Sequence, residues 1–191
     1  MENIDLIADE NMRAYAAQAA AFRLPRWEQI PSLGLYMDQV VTVIEGALAP
    51  LLDFGGEAFI TPAMINNYVK LGIIRKPEKK KYSREQIAGL LVITILKQSL
   101  AIGDIRLGMD SVTGSGDSQA AYDNFCGYVE GALGTVAAGL LAPENAAQVE
   151  FRFVHGDVGI TMAACSFASK LFSSKMVSVI RQHRQTDEHN S

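Results

Sequence analysis

The sequence predicts an all-α, mainly helical protein, and three observations carry that prediction. Apolar residues recur at helical spacing along most of the 191-residue chain. Two central helices have their start signals written out, and the first also has its stop. The turn between these two helices is crowded with lysine. The first, inside Ile60 to Ile74, opens at Thr61, whose hydroxyl can accept from a free backbone N–H, and at Pro62, where a missing N–H costs nothing; Gly72 supplies the left-handed stop. Within it, Ile65, Tyr68 and Val69 fall on one side, and Ala63, Asn66, Asn67 and Lys70 on the other. One face should pack and the other should stay polar.

The remaining elements follow in order. Alanine-rich residues from about Ala8 to Phe22 favour a helix by propensity. Pro25, Pro31 and Gly34 break the chain around Trp27, and the next helix sets Tyr36, Val40, Ile44, Ala47, Leu48 and Leu51 on one stripe. Asp53 to Glu57 reads as the turn into the capped helix, and Arg75 to Tyr82 as a basic turn out of it. Ser83 and Gln86 form a capping box that opens a helix apolar around most of its circumference (Ile87, Leu90, Leu91, Ile93, Ile95, Leu96), the expected core helix. A break at Ala101 to Gly103 precedes a short helix with Ile105, Leu107 and Met109, and Thr113 to Asp117 reads as a flexible joint. Beyond it, Tyr122, Phe125, Val129, Leu133, Val136 and Leu140 step by three or four, with Gly127 and Gly131 one turn apart to admit a second helix backbone. Pro143 ends this helix. Another helical region runs from Ala146, with a kink at Gly156 or Gly159, to about Gln182; it is apolar on more than one face and must be covered by the N-terminal helix or by a second subunit. The expected organisation is an N-terminal helix and linker (1–34), a central domain (35–112), a C-terminal helical region for dimerisation or effector binding (117–184) and a disordered tail (185–191).

Charge gives the central domain its expected role. Between residues 60 and 84, Lys70, Arg75, Lys76, Lys79, Lys80, Lys81 and Arg84 face one acid, Glu78, a local charge of +6 on a chain of −4, which leaves −10 elsewhere. A basic island on an acidic body turns one face toward a polyanion. A carboxamide can pair twice with the edge of adenine in the major groove, so Asn66 and Asn67 are the candidate base readers. The candidate DNA-contact set is Thr61, Ala63, Asn66, Asn67, Lys70, Arg75, Lys76, Lys79, Lys80, Lys81, Tyr82 and Arg84, with Lys70 on phosphate and Lys79 to Lys81 tracking the neighbouring backbone. Taken alone, a charged loop is more often solvated surface; its place between two capped helices gives it weight.

The order of a capped helix, Tyr68, Gly72-Ile-Ile74, a basic segment, Tyr82-Ser83 and Gln86-Ile-x-x-Leu90 resembles the MerR-type winged helix-turn-helix. More narrowly, Leu35-Tyr-Met-Asp-Gln39, Asn66-Asn-Tyr-Val-Lys70 and Lys79-Lys-Lys-Tyr-Ser-Arg-Glu-Gln86 resemble a bacterial domain-of-unknown-function family numbered 1836, over roughly residues 27 to 110. The resemblance implies a winged helix-turn-helix whose recognition helix is the one at Thr61 and whose small wing is Arg75 to Tyr82. Where MerR-type proteins carry an arginine and a tyrosine toward DNA, this chain has Asn66 and Asn67, and no cysteine follows where metal-sensing members gather their ligands.

Composition sets further bounds. With 49% apolar residues the chain can bury a core. Cys126 and Cys165 lie apart in apolar helical patterns, which predicts buried thiols and no zinc site, and their unpaired state suits a reducing, cytoplasmic setting. The apolar stretches Gly131 to Pro143 and Val158 to Ser169 fall short of the roughly 20 residues that span a bilayer. His155, beside Asp157 and after Arg152, is the one histidine worth weighing against His183 and His189; without a phosphate loop, a nucleophile elbow or an acid pair, no enzyme, metal or cofactor is expected. Thr113-Gly-Ser-Gly116 lacks the lysine and strand of a phosphate cradle. The function expected is a sequence-specific transcriptional regulator that binds double-stranded DNA as a homodimer. Two alternatives stand beside it: a protein-interaction module on the same scaffold, and a ligand-responsive switch with a small-molecule effector among the C-terminal helices.

Overall fold

The computed structural model describes residues 5–52, 58–113, 117–142, 150–151 and 156–189. Among them it is all-helical, with seven α-helices and no strand: α1 (Glu10–Ala21), α2 (Met37–Leu52), α3 (Pro62–Lys70), α4 (Arg84–Leu96), α5 (Ile102–Thr113), α6 (Ser118–Leu141) and α7 (Val158–His189). A single 3-10 turn sits at Trp27–Gln29. The described chain groups into two compact units, one of Met1–Phe22, Pro50–Gly56 and Val129–Ser191, the other of Arg23–Ala49 and Glu57–Tyr128. The second unit runs past the joint expected at residues 113–117 because the first half of α6 is bound into it. Tyr122 donates its hydroxyl to the Pro25 carbonyl at 2.8 Å, and Asp123 accepts the Trp27 N–H at 2.8 Å. These are contacts almost a hundred residues apart, invisible to local pattern.

Within this second unit α4 is the core. Ser83 accepts from the Gln86 N–H while Gln86 accepts from the Ser83 N–H, the reciprocal cap its sequence spells. Ile87, Leu90, Leu91, Ile93 and Ile95 have no exposed surface, and each such burial is worth about 1.5–3 kcal/mol over exposure. Thr94, buried among them, satisfies its hydroxyl on the Leu90 carbonyl at 2.7 Å. From α2, Val40, Ile44 and Leu48 are fully buried, as the stripe predicts, whereas Tyr36 at its head is half exposed. In α5, Ile105 is buried and Leu107 is exposed.

The other unit packs the N-terminal helix on α7. Asp9 caps α1 by accepting the Met12 N–H at 3.0 Å and also meets His183 of α7 at 2.8 Å. Further along, the rings of Tyr15 and Phe172 pack edge to face at 5.4 Å, Lys175 lies over the Tyr15 ring, and the buried Tyr15 hydroxyl donates to the Leu51 carbonyl at 3.0 Å. The multi-faced apolarity of α7 is thus met partly by α1. Ala164, Phe167, Ala168 and Val179 have no exposed surface, and Leu171 and Phe172 have almost none. Gly156, with φ of 99°, lies two residues before this helix, and α7 continues through residues 185–189, the greater part of the segment read from sequence as tail.

Other sequence expectations fare differently. A Cβ on Gly127 or Gly131 would meet nothing within 4 Å, and both glycines are exposed, so they do not admit a helix among the described residues. The turn at Asp53 to Glu57, the linker centre at Gly114 to Gly116, the end at Pro143, the start at Ala146 and the Arg152–His155 pair lie outside the described residues. No described helix is long and apolar enough to cross a membrane.

Candidate nucleic-acid interface

Helix α3 forms as its signals dictate. The Thr61 hydroxyl accepts the Met64 N–H at 3.2 Å and Pro62 holds the first position. At the other end Gly72 takes φ of 72°; its N–H reaches the Val69 carbonyl at 3.0 Å, and the Ile73 N–H reaches Tyr68 at 3.0 Å. Those two bonds are a Schellman stop, which needs a residue free of Cβ strain. Ile65 and Tyr68 are buried and Val69 half-buried, while Ala63, Asn66, Asn67 and Lys70 are all exposed. The two-faced helix read from sequence is therefore the one that forms, with both carboxamides outward. Burial raises the Tyr68 phenol above its ordinary range.

Lys97, at the end of α4, fixes the approach to α3. Its ammonium donates to the Phe59 carbonyl, two residues before the cap, and lies 3.2 Å from the Met64 sulfur in the first helical turn. Half-burial holds its pKa below the usual lysine range. Sequence periodicity gave no sign of this role, since a lysine at a helix end ordinarily reads as solvated.

The basic segment after α3 closes into a tight two-residue hairpin. The Lys81 N–H donates to the Glu78 carbonyl at 2.8 Å, and Lys79 and Lys80 take φ of 47° and 65°. Positive φ at both central positions is the type I′ arrangement, which ordinarily selects Asn-Gly. Two lysines there carry strain that other residues would avoid. The hairpin is pinned by a bridge in which the Leu35 N–H donates to Tyr82 at 3.0 Å and the Tyr82 N–H returns to Leu35 at 2.8 Å. Gly34 makes room for it, since a Cβ there would lie 3.0 Å from that of Lys81.

The contact set drawn from sequence does not stay together. Lys70, Arg75, Lys76, Lys79, Lys80 and Lys81 are exposed. Tyr82 is corrected: at 2% exposure its ring belongs to the core, and its phenol is pushed up by burial. Arg84 is also tied down, with its guanidinium 2.8 Å from Glu28 and over the Trp27 ring. The Thr61 hydroxyl is spent on its cap. What sequence did not show is Tyr36, half exposed, with the Lys81 ammonium 5.2 Å from its ring centre. The only signal for it was its place at the head of the α2 stripe, where a buried residue was expected.

Elsewhere, Cys126 and Cys165 are buried thiols outside any disulfide, as their apolar contexts predict. Among the described residues, no group of three or more His, Cys, Asp or Glu side chains could hold a metal ion.

No curated protein and no solved structure matches the chain. A family model described as Domain of unknown function (DUF1836) matches residues 25–125, a little over half of the sequence. The match spans nearly the whole unit built from α3, the lysine hairpin and α4, so the geometry above is that of the family's domain. The chain belongs to this family of domains of unknown function.

Proposed function

We propose that this protein is a sequence-specific, DNA-binding transcriptional regulator that acts as a homodimer through a MerR-like winged helix-turn-helix, with α2 and α3 as the helix pair and the 78–81 hairpin as a small wing. The observation that carries the reading is α3: a helix fixed at both ends presents Asn66, Asn67 and Lys70 to solvent, and its chain leads directly into a hairpin of three exposed lysines. Asn66 and Asn67 reach base edges, Lys70 meets phosphate, and Lys79 to Lys81 follow the adjacent backbone. Exposed Val158, Met162 and Val177 on α7 support pairing of two copies, and a two-fold dimer reads a roughly palindromic site.

Selection of bound duplexes from a random pool, followed by titration across a salt series, tests the proposal. A recovered motif and an affinity that falls steeply with salt are expected. Recovery of no motif, or binding indifferent to salt, overturns it. Exposed Leu33 and Leu71 favour a second reading, a protein-interaction module on the same scaffold. That reading predicts no duplex binding at all.

A further inference from the structure

The Leu35–Tyr82 bridge has a geometric consequence for the residues beside it. Leu35 and Tyr82 exchange both their N–H···O bonds, so they are a hydrogen-bonded antiparallel pair. The next pair outward, Tyr36 and Lys81, then stands directly opposite with its side chains on one face. The observed cation–ring distance of 5.2 Å fits that placement. Both residues are exposed, and Leu33, 79% exposed, precedes them. The Lys81 ammonium lies over the Tyr36 ring, and Gly34, lacking a Cβ, leaves the space beside the Lys81 Cβ open. A pre-positioned ammonium beside an outward phenol is a pair of donors with little ordering left to lose on binding an anion. Asp38 and Glu78 are the acids in the same stretch, and neither is paired with Lys81 in the way the ring is.

We propose that Tyr36 and Lys81 form a second phosphate-contacting edge, which extends the duplex-binding surface from α3 and the hairpin to the head of α2. The phenol donates its hydrogen to a backbone oxygen, and the ammonium, steered by the ring, meets the same phosphate or its neighbour. Tyrosine hydroxyls and lysines are among the groups that make such sequence-independent contacts. This edge rests on the DNA-binding reading and adds to it a residue, Tyr36, that lies outside both the helix and the hairpin.

The test uses the full chain and a fluorescein-labelled duplex of random sequence, titrated by polarisation across a salt series. Tyr36→Phe keeps the ring and removes the donor; Lys81→Gln keeps the length and removes the charge. Lys175→Gln is the control, because Lys175 makes the same kind of cation–ring contact, with Tyr15, within the other compact unit. Thermal unfolding matched to the parent protein establishes that each variant is folded. Tyr36→Phe is expected to weaken binding about three- to tenfold at every salt concentration, and Lys81→Gln to reduce the slope of log affinity against log salt by about one. If Tyr36→Phe binds as Lys175→Gln does while the parent protein binds with a steep salt dependence, the edge is overturned and the regulator reading stands; if Lys81→Gln leaves the salt slope unchanged, the edge and the hairpin's place in the regulator reading are both overturned. If the parent protein binds no duplex, both fall.

Discussion

Two lysines stand where a glycine would be more comfortable. Lys79 and Lys80 both take positive φ, and an ordinary residue pays about 1–2 kcal/mol for a left-handed conformation. Replacing the pair by Lys79→Asn and Lys80→Gly should therefore raise the thermal midpoint of the domain, while weakening its affinity for any duplex. A change that stabilised the fold and left DNA binding untouched would separate the hairpin from function. Asn66 makes the opposite case, being exposed and without a structural duty at the outer face of α3. Asn66→Ala should leave stability unchanged and cost about 1–3 kcal/mol on a selected site only; equal losses on selected and random duplexes would remove it as a reader. Thr61 and Gly72 were legible from sequence because capping chemistry is local. Tyr82, Arg84 and Tyr36 were not, because their fates depend on Leu35, Glu28 and Lys81, far off along the chain.

At the scale of the element, α3 and α4 carry complete instructions of their own. Ser83→Ala removes half of the capping box and should lower stability by about 1 kcal/mol, read as a shift in the denaturant midpoint with unchanged slope. Leu90→Ala, at a fully buried position of α4, should cost about 2–5 kcal/mol. If that cost proved no larger than the Ser83 loss, α4 would not be the core helix. The hairpin is different in kind, for no stretch of its sequence contains an Asn-Gly or Asp-Gly signal. Its existence follows from the Leu35–Tyr82 bridge and the space left by Gly34, both tertiary facts.

For the molecule as a whole, charge and pH act through separate places. The +6 between residues 60 and 84 should make binding salt-dependent, with each lysine of Lys79 to Lys81 that meets a phosphate adding about one to the salt slope. In the other unit, the hydrogen bond to His183 holds the Asp9 carboxyl below its ordinary 3.8. A carboxyl lowered in the folded state contributes stability above the unfolded value, and that contribution disappears as pH falls through the lowered one. The acid limb of unfolding should therefore be shallower in Asp9→Asn than in the parent protein below about pH 4, measured by thermal midpoints across pH. Identical acid limbs would show that the α1–α7 link does not rest on this carboxylate.

By itself the sequence determined most of the helical segments, though not the run of α7 through residues 185–189, and also where α3 and α4 begin, where α3 stops, which of their faces are apolar, and that the positive charge is gathered in one stretch, because each of these is set by neighbours within a turn or two of chain. Tertiary structure alone decided that half of α6 joins the unit of α3 and α4, that Tyr82 is core while Tyr36 is surface, and that Arg84 is held by Glu28 and Trp27. Those outcomes come from contacts between residues distant in sequence, whose formation depends on how helices pack rather than on any preference the local chain expresses.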